Sequence, residues 1–196
     1  MVQLSVLISI NENDPEIALT CTSGIINMSN LFDGESGFNQ DINHWDVSNV
    51  INMKYMFRNA VSFNKPLNNW DVSSVTDMSY MFRSSESFNQ SLNNWDVSNV
   101  TNMVSMFNNA SNFNQSINNW DVSNITNMGF MFYRAVNFNQ LLNNWNVSSV
   151  TIMAVMFGRA SSFNSDISAW DVSNVTNMRY MFNKATNFNQ SLNDWD

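Results

Sequence analysis

The stretch from Phe88 to Asn112 reads FNQSLNNWDVSNVTNMVSMFNNASN, and close copies of it begin at Phe38, Phe63, Phe113, Phe138 and Phe163. Tryptophan marks the register: Trp45, Trp70, Trp95, Trp120, Trp145, Trp170 and Trp195 follow one another at intervals of 25 residues. A fixed period of this length implies stacked coils, because a single unit cannot bury its apolar face alone and must cover it with its neighbours. Such an array points to a repeated surface as the seat of function, not to one catalytic pocket.

The columns of the array are strict. Apart from Met1, every methionine falls on one of two repeat positions, and apart from Phe130 every phenylalanine falls on one of two more. Val50, Met53, Met56, Phe57 and Ala60 follow the spacing of one face of a short helix. Thr76, Thr101, Thr126, Thr151 and Thr176 precede this run and suit helix N-caps. Few glycines close the run, which implies helices of about two turns, partly 3₁₀. The segment Leu67 to Val72 is too short for a second helix and carries β-favouring Trp70 and Val72. The expected fold class is therefore α/β: a solenoid with one short parallel strand and one short helix per coil. Residues 1–24 are expected to form an N-terminal cap, with Val2, Leu4, Leu7 and Ile8 as a covering strand and the start of an eroded first repeat. Residues 25–196 form the array, which breaks off at Asp196, nine residues into its final copy.

Composition narrows the function. Hydrophobic residues make up 44% and charged residues only 12%, with a net charge of −8. That acidity argues against nucleic acid, whose phosphates require a concentrated basic surface. Cys21 is the single cysteine, so no intramolecular disulfide forms. The N-terminal apolar run is short, is interrupted by Ser5 and Ser9, and lacks a basic region, so it reads as neither secretory signal nor membrane span.

The segment W-D-V-S-N-V-T-N-M-x-x-M-F, at Trp95 to Phe107, followed by Ala110 and by Phe113 to Ile117, closely resembles the BspA-like leucine-rich-repeat surface proteins. The same repeat is abundant in mycoplasma lipoproteins. The resemblance extends from about Ile25 to the end of the chain. It implies a right-handed, leucine-rich-repeat-like solenoid and a cell-surface role in adhesion, with a protein or glycan as partner.

Several residues invite a chemical reading. Asp46, Asp71, Asp96, Asp121, Asp171 and Asp196 form an acidic column broken by Asn146. The expectation is that each carboxylate accepts N–H groups of its own V-S-N turn, and that calcium does not hold the column together. Asn39, Asn64, Asn89, Asn114, Asn139, Asn164 and Asn189 form a second column, expected to bond the backbone of its own turn and of the next coil. His44 has no second His or Cys in register, so no metal site is expected. The sequons at Asn99, Asn124 and Asn174 sit beside core positions, where a glycan would conflict with stacking. No nucleophile–base pair or phosphate loop occurs, so neither an enzyme nor a cofactor is expected.

The varying positions are the informative ones. Seven of the eight Lys and Arg residues, and all four Tyr, lie on the Met/Phe segment but off its buried face. The candidate ligand-binding residues are Tyr55, Arg58, Tyr80, Arg83, Phe130, Tyr133, Arg134, Arg159, Arg179, Tyr180 and Lys184. Tyr and Arg are enriched at interfaces. A non-enzymatic binding module follows as the leading expectation. Self-assembly of copies through the C-terminal coil comes second, and an ice-binding array is a remote third.

Overall fold

The computed structural model describes residues 22–195; the expected N-terminal strand, Cys21 and Asp196 lie outside them. The chain winds into coils of one repeat each, stacked so that equivalent residues lie side by side. Parallel bridges join Asn27 to Asn52, Asn52 to Asp77, and so on through Asn102, Asn127 and Ile152 to Asn177. We number the coils from these bridge residues: coil 1 is 27–51, coil 2 is 52–76, coil 3 is 77–101, coil 4 is 102–126, coil 5 is 127–151, coil 6 is 152–176, and coil 7 begins at 177.

The α/β expectation is overturned. Among the described residues there is no helix, and strand pairing is confined to the isolated bridges at the Asn52 column. The Trp segment carries no ladder of its own, so the predicted parallel sheet there is absent. The chain is a stack of β-turns. Where a helix was expected, coil 3 makes three turns in succession: the N–H groups of Met81, Arg83 and Ser85 donate to the carbonyls of Met78, Tyr80 and Phe82 at 3.2, 3.1 and 3.1 Å. The alternate N–H groups, those of Met78, Tyr80, Phe82 and Ser84, cross to the carbonyls of Asn102, Val104, Met106 and Asn108 in coil 4 at 2.8–3.0 Å.

The reason is one of hydrogen-bond supply. A helix satisfies its backbone internally and offers little to a neighbouring coil, and one of two turns is marginal without strong helix formers. The segment mixes the good helix formers Met, Ala and Arg with Asn, Ser, Tyr and Phe, so propensity alone does not secure a helix. Turns leave half of the N–H groups free to join the coils, each bond contributing about 1 kcal/mol net. The start of each segment is held by an Asx turn: Asn52, Asp77, Asn102, Asn127 and Asn177 accept the N–H two residues on, at 2.8–3.2 Å. Ile152 lacks that oxygen.

The turns require left-handed backbone. Tyr55, Tyr80, Ser105, Phe130, Val155 and Tyr180 have φ of 56–60°, and so do Asn59, Ser84, Asn109, Arg134, Arg159 and Lys184 at 58–62°. This conformation costs a non-glycine residue about 1–2 kcal/mol, and it is most unusual for β-branched Val155. The cost is tolerated because, in coils 2–6, the peptide group before each such residue is bonded on both sides: its carbonyl accepts from the preceding coil and its N–H donates to the next.

The threonines do not cap helices. The hydroxyls of Thr76, Thr101, Thr151 and Thr176 donate to the carbonyl one repeat earlier at 3.1–3.3 Å. The core is a set of aromatic columns. Phe57, Phe82, Phe107, Phe132, Phe157 and Phe182 stack at ring separations of 5.4–5.8 Å. A second phenylalanine column lies beside it, with Phe82 and Phe88 4.1 Å apart. Each Trp from Trp70 to Trp195 donates its indole N–H to a carbonyl 28 residues earlier at 2.9–3.2 Å.

The asparagine column bonds the next coil as expected. Asn39 Oδ1 accepts the N–H of Asn64, and the pattern repeats to Asn189 at 2.8–3.0 Å. Gln90, Gln115, Gln140 and Gln190 add a side-chain donor to the same oxygens. Ser165 stands in that column and its hydroxyl is buried without a partner.

Candidate functional site

The turns decide which side chains face outward. In coil 2 the turn Met53–Met56 projects its central pair, Lys54 and Tyr55, while the turn Phe57–Ala60 projects Arg58 and Asn59. The four flanking residues are all buried. The expected site residues therefore lie on one surface, here called the turn face, with none of them buried. The left-handed φ at the Tyr55 and Asn59 columns holds these projections in fixed directions.

The two ends of this face differ. In coils 1–3, Tyr55 and Tyr80 pack at 4.8 Å between ring centres, and the Arg58 guanidinium lies 4.4 Å above the Tyr55 ring. Arg58 is neutralised: it forms a two-pronged ion pair with Asp33, its Nε donating at 2.7 Å. This carboxylate raises the Arg58 pKa further, chiefly through that side-chain hydrogen bond. Arg83 lies 5.9 Å from the Tyr80 ring.

In coils 5–7 the outward residues surround an open groove of about 310 Å³, lined by Phe130, Tyr133, Val155, Arg159, Tyr180 and Asn183. Phe130 and Tyr133 meet edge to face at 5.9 Å. Phe130 is 40% exposed and Tyr180 56% exposed. Arg134 lies 5.9 Å from the Tyr133 ring, and Arg179 lies 4.8 Å from the Tyr180 ring while also donating to its hydroxyl at 3.2 Å. Lys184 is exposed beside Asn183. The structure thus brings Phe130, Tyr133, Arg159 and Tyr180 around one groove and leaves Tyr55, Arg58, Tyr80 and Arg83 as a separate cluster.

Val155, Gly158 and Asn183 were not singled out from the sequence, yet they shape the groove. Coil 6 places Val155 between Phe130 and Tyr180, and Gly158 between Tyr133 and Asn183. The groove is the gap left where these two residues stand between the larger Phe130, Tyr133 and Tyr180 of the flanking coils. A Cβ on Gly158 would stand 2.7 Å from Val155 Cγ1 and 3.1 Å from Tyr133 Cδ2, so a side chain there would force Val155 or Tyr133 to shift. The one signal in the sequence was a glycine in a column otherwise occupied by Asp, Arg, Asn and Tyr.

The acidic column serves the turns. Asp46, Asp71, Asp96 and Asp171 each accept both the N–H and the hydroxyl of the serine two residues on, at 2.6–3.1 Å. Asn146 does the same with Ser148. The serine hydroxyl, then the serine N–H, holds the carboxyls of Asp46, Asp96, Asp121 and Asp171 below their ordinary range. The charge of Asp96 opposes this at Asp121 without prevailing. Among the described residues no His, Cys, Asp and Glu cluster could hold a metal, and His44 is exposed. Asn99, Asn124 and Asn174 donate their amides to carbonyls of the preceding coil at 2.7–2.8 Å, bonds that a glycan would remove. No described helix is long and apolar enough to cross a membrane.

Neither the curated proteins nor the solved structures contain a match to the chain. A family model does match, over residues 5–120 and again over 107–196, and its description is "Mycoplasma protein of unknown function, DUF285". The two matches together cover the whole array, and with it the Trp, Met and Phe columns that build the coils: this chain belongs to the DUF285 family of mycoplasma repeat proteins.

Proposed function

We propose that the chain is a non-enzymatic binding module that contacts a protein or glycan through its turn face, as part of a cell-surface adhesin related to the BspA-like proteins. One observation carries the reading. The buried Trp, Met and Phe columns keep one or two residue types, whereas the outward turn positions vary and hold nearly all the cations and every tyrosine, several in ring–cation contact. Stacking and hydrogen bonding account for the constancy of the framework but place no demand for Tyr and Arg on the turn face. Aromatic and arginine side chains are the residues that dominate binding energy at interfaces.

The test is a binding screen of the intact chain against extracellular-matrix proteins and immobilised glycans, alongside a variant carrying Tyr133→Ser, Arg159→Ser and Tyr180→Ser. The reading requires a ligand whose binding the variant loses at unchanged Tm. Binding that survives the triple substitution, or no binding to either panel, overturns it.

A further inference from the structure

The turn face is not uniform in charge. In coils 1–3 the cations are accompanied by acids: Asp33 pairs with Arg58, Glu35 lies two residues beyond Asp33, and Glu86 follows Arg83. In coils 5–7 the corresponding segments, 128–137, 153–162 and 178–187, carry Arg134, Arg159, Arg179 and Lys184 and contain no Asp or Glu. No carboxylate lines the groove, and among the described residues Arg159 has no ion-pair partner. A chain with net charge −8 therefore holds one local field of positive charge, centred on an aromatic groove.

We propose that the groove between Phe130, Tyr133 and Tyr180 is a subsite for an acidic sugar, a pyranose bearing one carboxylate, with Arg159 as the carboxylate receptor. This rests on the reading of the turn face as a binding surface and names the ligand class for its coils 5–7. The volume of about 310 Å³ stands at the small end of ligand sites, the size of one ring and not of a folded epitope. Tyr133 and Tyr180 offer rigid ring faces for the C–H face of a sugar, and Phe130 adds an apolar edge. Arg159 supplies the planar fork that pairs two carboxylate oxygens, and the Asn183 amide both donates to and accepts from hydroxyls.

Backbone chemistry opposes a peptide in the same place. An extended peptide gains affinity by adding to a free edge. Here the N–H groups of Tyr133, Arg134, Val155 and Arg159 are already committed to carbonyls within or between coils at 2.7–3.1 Å. Over coils 5 and 6 recognition must therefore come from side chains, which favours a rigid ring over a flexible chain. The acidic columns on the rest of the coil repel a long polyanion, so the site suits a single carboxylate.

The experiment is an NMR titration of the full chain with 3′-sialyllactose and with a hyaluronan tetrasaccharide, against neutral lactose and a hexaglutamate peptide. At least one carboxylated sugar should shift the Arg159 and Tyr133 signals and bind at least about tenfold more tightly than lactose. Arg159→Gln should weaken that binding by about tenfold, equivalent to about 1.4 kcal/mol, with Arg159→Lys recovering part of it; Lys65→Gln, away from the face, should leave it unchanged. Equal binding of lactose, tighter binding of hexaglutamate, or an unaffected Arg159→Gln overturns the acidic-sugar assignment. If both carboxylated sugars fail while the chain binds a matrix protein through the same face, the sugar class is wrong and the module stands. If the protein and glycan panels also fail, the module reading falls with it.

Discussion

Replacing Trp95 by alanine removes a ring from the middle of the stack, and the structure sets the size of the effect. Trp95 is 3% exposed, lies parallel to Trp70 at 6.4 Å, and donates its indole N–H to Leu67 O at 3.0 Å. Truncating a buried tryptophan to alanine costs about 3–5 kcal/mol through lost transfer energy and the cavity left behind. The freed carbonyl adds less than a full desolvation penalty, because Leu67 O still accepts the backbone N–H of Trp70 at 3.2 Å. Trp95→Phe, which keeps most of the apolar bulk and loses the indole bond, should cost about 1–2 kcal/mol. For a chain of this length each kcal/mol lowers Tm by about 2–4 °C, so Trp95→Ala should fall by about 6–20 °C. Thermal melts followed by circular dichroism, with urea titrations for the free energies, measure both variants. Because coils interact mainly with their neighbours, the alanine variant should also melt less cooperatively. A loss below about 1 kcal/mol for Trp95→Ala would falsify the packing described here, since no buried ring in a stacked column can be removed so cheaply.

Three further outcomes follow from individual rungs. Val155 holds φ of 59° against its branched side chain, so Val155→Asn, which tolerates that conformation, should raise Tm by a few degrees, reflecting relief of part of a cost of about 1–2 kcal/mol; a lower Tm argues that Val155 packing outweighs strain. Ile152→Asn should add about 1 kcal/mol by supplying the Asx acceptor that the equivalent residues of other coils give to the N–H two residues on, and a urea midpoint that fails to rise counts against that turn. The lowered carboxyls of Asp46, Asp96, Asp121 and Asp171 mean that the folded state favours their ionised form. Their contribution is complete above the unfolded value of about 3.9 and is lost as pH falls through the still lower folded values, so Tm should hold from pH 7 to about 5 and drop below about pH 4. A Tm that rises on acidification would instead show mutual repulsion governing the column.

The sequence made the period, the columns and the buried positions legible, and it did not distinguish a helix from a run of turns. The reason lies in the spacing of Met53, Met56, Phe57 and Ala60. Intervals of three, one and three put side chains on one face of a helix, and they also mark the ends of two successive β-turns whose central pairs point outward. Helix propensity is mixed across the segment, and the deciding term, hydrogen bonds to the next coil, is invisible in a window of one repeat. The left-handed backbone was hidden for a related reason: Tyr55, Phe130 and Val155 are not residue types that announce positive φ, and only the stack imposes it. Outward placement of the Tyr and Arg residues survived the change of secondary structure because both geometries expose the same positions. The groove could not be read from those residues alone, since it is made by what coil 6 lacks, at Val155 and Gly158.

The stack of turns can be seen bond by bond in solution through scalar couplings across hydrogen bonds, measured by NMR on the labelled chain. The structure places the Phe107 N–H on the carbonyl of Met131 at 2.9 Å and the Met106 N–H on that of Met103 at 3.1 Å. A coupling should therefore connect Phe107 nitrogen to Met131 carbonyl carbon, 24 residues ahead, and recur from Phe82 to Met106 and from Phe132 to Met156. A coupling from Phe107 nitrogen to the Met103 carbonyl carbon, the partner an α-helix would give it, would mean that the coil is helical after all.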